Sequence, residues 1–189
     1  MFDRKPQILD IASELLQSRS FTSFSYQDLS DRLGISKASV HHHFATKEEL
    51  LHALTQRYRA KQRKRLAELD SQYESPAERL DAYLAMMAQV ALSGNKICPL
   101  GALSAEFNVI PQKVQEDIRA LFDFGKSWLA SVLAQGSERG EFEFDGPASE
   151  RAVLIMSAVQ GALQIARATG PKEFSTVTSQ IRLALKPRK

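Results

Sequence analysis

Cysteine is almost absent from this chain: Cys98 is the only one among its 189 residues. A single cysteine excludes an intrachain disulfide and any metal site built from several cysteines. Long hydrophobic runs are missing too, since none approaches the roughly 18 apolar residues of a membrane span. The polar first residues also lack the apolar core of a signal peptide. The sequence therefore predicts a cytoplasmic protein with no membrane partner.

A large excess of one charge is absent as well. The net charge is only +3, and the first fifty residues hold six Lys or Arg against seven Asp or Glu. Several basic residues follow between positions 57 and 65, where a solvated helix face is the ordinary explanation. Bulk charge therefore does not indicate a nucleic-acid-binding protein, and any DNA contact must depend on individually placed groups.

Apolar residues recur with helical spacing through nearly the whole chain. The first stripe predicts a helix from about residue 4 to residue 18, with these inward positions: Ile8, Ile11, Ala12, Leu15 and Leu16. Residues 141–144 alternate like a strand, but no second strand candidate could pair with them, so an extended connector is expected. The fold class is all-α, with about nine helices.

Helix boundaries are well marked near the N-terminus. Gly34 can take the left-handed conformation that ends a second short helix. Ser36 is placed to cap a third helix, and Thr46 with Glu49 forms a capping box that opens a long fourth one. Ser75 and Glu78 form the same pattern further on, and Gly136 with Gly140 is expected to end a later helix.

Two short helices joined by a turn around residues 34–36 are typical of the DNA-binding helix-turn-helix. An ordinary helical hairpin in a bundle has the same spacing and remains the alternative. Two details favour DNA. Lys37 and Lys47 each stand at the first position of a helix, where a phosphate would complement both the lysine and the helix dipole. The outward face of the third helix is also small and polar, which lets a helix lie close to base edges.

Three consecutive histidines, at positions 41 to 43, suggest a metal site. Successive residues of a helix are about 100° apart, so the three imidazoles point in three directions and cannot share one ion. Hydrogen bonds to phosphates or base edges are the better interpretation, and no metal is predicted.

Residues 21–50 resemble the N-terminal signature of the TetR family of transcription regulators. An aromatic-rich loop (Phe21-Thr-Ser-Phe24) precedes a Gly34-Ile-Ser-Lys-Ala-Ser turn and helix and a Phe44-Ala-Thr-Lys-Glu-Glu-Leu exit, in the family's order. The resemblance covers about residues 5–55. It implies a DNA-binding domain at 1–46 and an effector-binding and dimerisation domain at 47–189. It also implies a homodimer on a near-palindromic DNA operator, acting as a repressor that a small molecule releases.

The resemblance also implies which residues touch DNA. Phosphate contacts are expected at the starts of the second and fourth helices, and base or backbone contacts on the third. The expected set is Ser25, Tyr26, Ser36, Lys37, Ala38, Ser39, His41, His42 and Lys47. His41 departs from the family, which commonly has tyrosine at that position.

Residues 50–189 carry no catalytic signature, phosphate loop or dinucleotide fingerprint, so neither an enzymatic activity nor a cofactor is predicted. A ligand pocket favours adaptable methionines, aromatic rings and a few polar side chains, but a hydrophobic core contains the same residue types. The candidates for the effector site are Tyr83, Met86, Met87, Cys98, Phe107, Phe122, Trp128, Gln160 and Gln164. Cys98 lies beside Lys96 before a helix start, a setting that favours thiolate, and a buried packing role is its alternative.

A run of small residues on the helix after Pro147 suits close approach of two copies across a two-fold axis. The predicted interface residues are Ala158, Gly161, Ala162 and Ile165. Packing within one chain remains an alternative for this surface. For the protein as a whole, the competing classes are a helical adaptor, an activator without a small-molecule effector, and an all-helical enzyme.

Overall fold

The computed structural model of the chain describes residues 4–94 and 96–187. Within these ranges the backbone forms nine α-helices and no β-strand. In chain order they are α1 (Lys5–Arg19), α2 (Tyr26–Leu33), α3 (Lys37–His43), α4 (Lys47–Gln72), α5 (Pro76–Leu92), α6 (Pro99–Ala105), α7 (Gln112–Glu138), α8 (Ala148–Thr169) and α9 (Lys172–Leu185). The all-α prediction is confirmed.

The first of two compact units contains residues 4–60 and 96–120. Four of the five predicted inward residues of α1 are buried, and α6 packs against α1. The core shared by α1 to α4 consists of side chains with at most 1% of their surface exposed: Ile8, Ala12, Leu15, Leu16, Leu29, Val40, Leu50, Leu51 and Leu54. Burial of each of the larger side chains stabilises the fold by about 1.5–3 kcal/mol. This shared core holds α2 and α3 against α1 and α4.

The second unit contains residues 61–94 and 121–187, and in it α8 packs on α9 and α5. One side of α8 is buried within the unit, at Ala152, Ile155, Val159, Ala162, Leu163 and Ala166. Another side leaves Val153, Leu154 and Ile165 about half exposed, at 49%, 59% and 52%. Helix α8 is therefore apolar on more than one side, and one of those sides lacks cover within this unit.

The segment between α7 and α8 explains two differences from the sequence prediction. Gly136 does not end α7, which continues to Glu138; a Cβ on Gly136 would lie 2.1 Å from Cδ2 of Phe142, so glycine is needed for close packing. Ser75 caps α5 as predicted, but the carboxylate beside it belongs to Glu141, which accepts from the Ser75 hydroxyl at 2.6 Å and the Ala77 N–H at 2.9 Å. Sequence spacing alone could not show this distant partner.

Helix α8 is long and apolar enough to cross a membrane by length and composition, with a mean hydropathy of 1.2. The core helix of a protein that never enters a membrane passes the same test. One third of the residues in its apolar window are buried within the chain, and a single helix of this kind is weak evidence for a membrane span.

The two compact units do not divide the chain at residue 46. Helices α4 and α7 contribute to both units, with the division near residues 60 and 120. The boundary between residues 46 and 47 describes function rather than compactness, and it stays a prediction.

Candidate nucleic-acid interface

A three-residue turn joins α2 to α3. Gly34 has φ 62° and ψ 36°, the left-handed conformation that glycine adopts without a Cβ penalty. The Ile35 N–H then donates to the Ser30 carbonyl at 3.2 Å, and the Ser36 hydroxyl accepts from the Ser39 N–H at 3.1 Å. The predicted stop and the predicted cap are both confirmed, and the two short helices form a helix-turn-helix.

Helix α3 has one inward and one outward face. Val40 is fully buried and anchors it to the unit's core. Lys37, Ala38 and His42 are exposed, and Ser39 is half-buried. The outward face therefore combines one cation, one imidazole and small side chains, which can approach base edges in a major groove.

The three histidines are arranged separately, as their spacing predicts. The ring of His41 packs against Tyr26, with centroids 4.6 Å apart and planes at 61°, and its Nδ1 lies 3.3 Å from the Ala45 carbonyl oxygen. The rings of His42 and His43 are 5.5 Å apart. Throughout residues 4–94 and 96–187, no three His, Cys, Asp or Glu side chains are grouped so that they could hold a metal ion.

The start of α2 is closed by its own side chains. Ser25 and Asp28 form a reciprocal capping box, in which the Ser25 N–H donates to Oδ2 of Asp28 at 2.8 Å. The hydrogen bond from the Ser25 hydroxyl, followed by that from its backbone, holds the pKa of the Asp28 carboxyl below its usual value. Ser25 is exposed, so its predicted phosphate contact must share the hydroxyl with Asp28.

Tyr26 corrects the sequence prediction. The side chain is only 6% exposed, and its hydroxyl oxygen is buried without a hydrogen-bond partner among the described residues. Burial, followed by the nearby Glu49 carboxylate, raises the pKa of Tyr26 to about 12. This hydroxyl does not reach the surface where a phosphate would lie, so the residue supports His41 through ring packing instead.

Replacing Tyr26 with phenylalanine is accordingly expected to leave operator affinity within about twofold of the wild type. Removing a buried polar group that has no partner is neutral or slightly stabilising. Fluorescence anisotropy on operator DNA and urea unfolding measure the two effects, with His42→Ala as the comparison that should weaken binding. A tenfold or larger loss of affinity in Tyr26→Phe would show instead that the Tyr26 hydroxyl contacts a phosphate.

The start of α4 matches half of its predicted capping box. The Glu49 N–H donates to the Thr46 hydroxyl at 3.1 Å, as predicted. The Glu49 carboxylate turns instead to the Ala45 N–H, at 2.9 Å. The helix therefore begins at a fixed position directly after α3.

Lys47 also differs from its prediction. Its Nζ donates to the carbonyl oxygens of Phe21, at 2.5 Å, and Phe24, and it lies 4.4 and 4.5 Å from the centroids of the two rings. Burial lowers the pKa of this ammonium, against the Glu106 and Asp28 carboxylates, which raise it. The predicted phosphate ligand is thus turned inward, where it fixes the loop between α1 and α2.

Glu106, a carboxylate, also binds the loop between α1 and α2 that the Lys47 ammonium binds. Its carboxylate accepts from the N–H groups of Phe21, at 2.6 Å, and Thr22, at 3.0 Å, and from the Thr22 hydroxyl. Partial burial raises the pKa of Glu106, but the hydrogen bonds from Thr22 and Phe21 outweigh it and keep the pKa below the usual value. Lys47 binds the carbonyls of the loop and Glu106 its amides, so together they set where α2 starts.

Glu106→Gln is expected to lower the free energy of unfolding by about 1–2 kcal/mol at pH 7, because charge-assisted hydrogen bonds are lost. The pKa of Glu106 is lower in the folded chain than the ordinary value of 4.5. Its contribution is therefore complete above pH 4.5 and disappears as the pH falls through the folded pKa. Urea unfolding should show the two chains converging below pH 4.5, and a gap that stays constant would contradict the assignment. Glu138→Gln, at an exposed site, is the control.

Asp117 is a buried carboxylate that the sequence prediction missed. Its oxygens pair with His52 Nδ1 and Gln56 Nε2, both at 2.7 Å, and with the Thr55 hydroxyl and Arg59 guanidinium, both at 3.1 Å. These partners share one face of α4, because they are spaced i, i+3, i+4 and i+7. This spacing is the one sequence pattern that could have indicated a polar cluster here. A buried charge must be paired in this way, so Asp117 fixes α7 to the first half of α4.

The residues predicted for the effector site are distributed over both units. Cys98 and Phe107 belong to the first unit and the others to the second. Cys98 is buried, in keeping with its packing alternative. Trp128 Nε1 donates to the Asp70 carboxylate at 3.0 Å, and its ring lies 5.5 Å from Tyr83. Half-buried positions are occupied by Tyr83, Met86, Met87, Phe107, Phe122, Trp128 and Gln160. Gln164 is exposed, and the effector site stays a prediction.

The residues predicted for the dimer interface also separate. Gly161 and Ile165 are exposed and Ala158 is half-buried, whereas Ala162 is only 2% exposed within its own chain. Ala162 therefore offers almost no surface to a partner, and the interface itself stays a prediction. A groove of about 260 Å³ runs between α8 and α9, and it is lined by Arg151, Leu154, Ile155, Ala158, Thr176, Val177, Gln180, Ile181, Ala184 and Leu185.

An outward recognition helix held by a tight turn, in a chain of helices, defines an all-α DNA-binding transcription regulator. The comparisons with known proteins specify the family. Residues 8–54 match the family model for bacterial regulatory proteins of the tetR family, and residues 76–181 match the tetracyclin repressor-like C-terminal domain. The chain belongs to the TetR family.

Several relatives agree with this assignment. The HTH-type transcriptional repressor KstR2 of Mycobacterium tuberculosis is 27% identical over 150 residues, which are 75% of this chain and 70% of KstR2. A TetR-family regulator from Agrobacterium tumefaciens is 32% identical, with a TM-score of 0.93 over 97% of this chain and 98% of its own. A TetR regulator from Legionella pneumophila is 26% identical, with a TM-score of 0.88 over 98% and 99% of the two chains.

Proposed function

We propose that this regulator is a cytoplasmic, ligand-responsive repressor that binds a near-palindromic operator as a homodimer, without enzymatic turnover. The observation that carries the proposal is the outward face of α3, with exposed Lys37 and His42 on either side of small residues. Membership of a family of regulators supports it, as does the similarity to KstR2, which is named a repressor.

Direct DNA contact is assigned to the exposed part of the predicted set. Lys37 would hold a backbone phosphate, and Ser39 and His42 would reach base edges, where small neighbouring side chains permit close approach. Ser25, Ser36, Ala38 and His41 lie on the surface around them. Tyr26 and Lys47 would act indirectly, by positioning His41 and the loop before α2.

The apolar surface of α8 and α9 is the proposed dimer interface. Leu154, Ile165 and Leu183 are 59%, 52% and 55% exposed. Two copies related by a two-fold axis would bring the same patch of each together, as isologous dimers require. This pairing would also cover the apolar side of α8 that its own unit leaves exposed.

The response to a ligand is proposed to run through α4. This helix starts at Lys47, just after α3 ends at His43, and Asp117 fixes its first half to α7. In a dimer, the two recognition helices must be about 34–36 Å apart, or a multiple of that, to enter both half-sites. A ligand releases DNA only if it prefers an arrangement of α4 with another spacing.

Anisotropy titrations on the promoter DNA flanking the gene test the proposal. Lys37→Ala should weaken binding about tenfold and reduce the slope of log K against log salt by about 1, because one phosphate contact is lost. Lys64→Ala, at an exposed lysine on α4 that pairs with Glu68, is the matched control and should change neither. DNA binding that does not weaken with salt would instead favour a helical adaptor. So would DNA binding that Lys37→Ala and His42→Ala leave unchanged.

A further inference from the structure

The imidazole of His41 is held in place on the surface of the recognition helix. His41 is exposed on α3, and its Nδ1 lies 3.3 Å from the carbonyl oxygen of Ala45, just after the end of that helix. The ring also packs against Tyr26 of α2, with centroids 4.6 Å apart. Two contacts therefore orient this imidazole before DNA binds.

The contact with Ala45 determines which ring nitrogen carries the proton of the neutral imidazole. A carbonyl oxygen can only accept a hydrogen bond, so Nδ1 of His41 is the donor. A neutral ring has a single N–H, and Nε2 is then left as an acceptor. Both nitrogens donate only in the imidazolium, which has gained a second proton.

A neutral Nε2 on this helix is unsuited to the DNA backbone. Exposed side chains of a recognition helix meet phosphates as well as base edges. A phosphate oxygen is a negatively charged acceptor, so it repels the lone pair of a neutral Nε2. An imidazolium instead donates from Nε2 and brings a positive charge, which makes the hydrogen bond to phosphate stronger.

We propose that His41 binds an operator phosphate as an imidazolium, so that each recognition helix takes up a proton from solution when DNA binds. The proton is added at Nε2, and the hydrogen bond from Nδ1 to Ala45 is kept. Operator affinity therefore rises as the pH falls through the range of about 8 to 5 in which histidines change charge. The inference rests on the proposed function, since it assigns a protonation state to one operator contact of that regulator.

The titratable and charged groups around the ring come from three helices. Tyr26 of α2 stays neutral over this pH range, because its pKa is about 12. The Glu49 carboxylate of α4 accepts from the Ala45 N–H at 2.9 Å, and Lys37 stands one turn before His41 on α3. Glu49 favours a charged ring and Lys37 opposes it. An arriving phosphate therefore supplies the additional negative charge that stabilises the imidazolium.

Calorimetric titration of the promoter DNA flanking the gene, in buffers of different ionisation enthalpy at about pH 7.5, counts the protons taken up on binding. The wild type is expected to take up about one proton per chain more than His41→Tyr, because a phenol hydroxyl donates to phosphate without changing charge below about pH 10. His41→Gln, whose amide does not titrate, should match His41→Tyr. His43→Gln removes another imidazole of α3 and should keep the wild-type uptake.

Anisotropy titrations at constant salt measure the same difference as an affinity. Between about pH 8 and pH 6 the wild type should gain about tenfold or more in affinity relative to His41→Tyr, because falling pH stabilises the state that holds more protons. Equal uptake in the wild type and both His41 variants, parallel pH profiles, or an equal loss of uptake in His43→Gln would each overturn the inference and leave the proposed function standing. If no chain binds the promoter DNA at any pH, both fail together.

Discussion

Leu154→Glu should convert the protein to a monomer and weaken operator binding by about a hundredfold or more. Leu154 is 59% exposed and lines the groove between α8 and α9, so the substitution should change the stability of one chain by less than about 0.5 kcal/mol. In the proposed dimer it would bury glutamates in an apolar surface. A monomer engages one half-site only and loses the roughly 10²–10⁴-fold gain from simultaneous binding. Light scattering and anisotropy measure both effects.

Leu92→Glu is the matched control. Leu92 is 61% exposed at the end of α5, outside the α8 and α9 surface, so the same change of charge should alter neither mass nor affinity. If Leu154→Glu stayed dimeric and still bound the operator, the interface would have to lie elsewhere.

Asp117→Asn is expected to lower the free energy of unfolding by about 3 kcal/mol and to weaken operator binding severalfold. The carboxylate is 7% exposed and accepts from four side chains of α4. Neutralising it leaves Arg59 without its counter-charge and sets an NH₂ group against groups that are themselves donors, and removing one partner of a buried pair costs about 3–5 kcal/mol. The side chains of Arg59 and His52 are about 30% exposed, so solvent screens the pair and the expected loss of stability lies at the lower end of this range. The start of α4 would then be less firmly held behind α3.

Urea unfolding and operator titrations of the Asp117→Asn chain give the result, with Asp123→Asn as the control on the same helix. Asp123 pairs with Lys126 at the surface, so its substitution should cost less than about 1 kcal/mol. If the two variants lost similar stability, Asp117 would not be the connection between α7 and α4.

The sequence predicts local features of this fold well because their causes lie within a few residues. Gly34 ends α2 and Ser36 caps α3, since a left-handed glycine and a capping hydroxyl act on the adjacent turn. The buried stripe of α1 follows from its spacing for the same reason. The helix-turn-helix and the all-α class were therefore accessible without coordinates.

Features that depend on distant partners could not be predicted. Lys47 stands at a helix start, as a phosphate ligand would, yet its ammonium turns to carbonyls 23 and 26 residues away. Glu106 binds a loop 84 and 85 residues earlier. Tyr26 begins α2 but points inward, which spacing over one turn does not determine. Placement of charged and aromatic side chains is thus the part of the site that needed the structure.

Hydroxyl-radical footprinting of the promoter DNA flanking the gene tests the central claim most directly. A dimer that inserts one α3 into each of two major grooves should protect two symmetric segments, with centres about 34–36 Å apart or a multiple of that spacing. Lys37→Ala should weaken both segments together. A single protected segment, or no protection at protein concentrations that give a dimer in solution, would contradict the account.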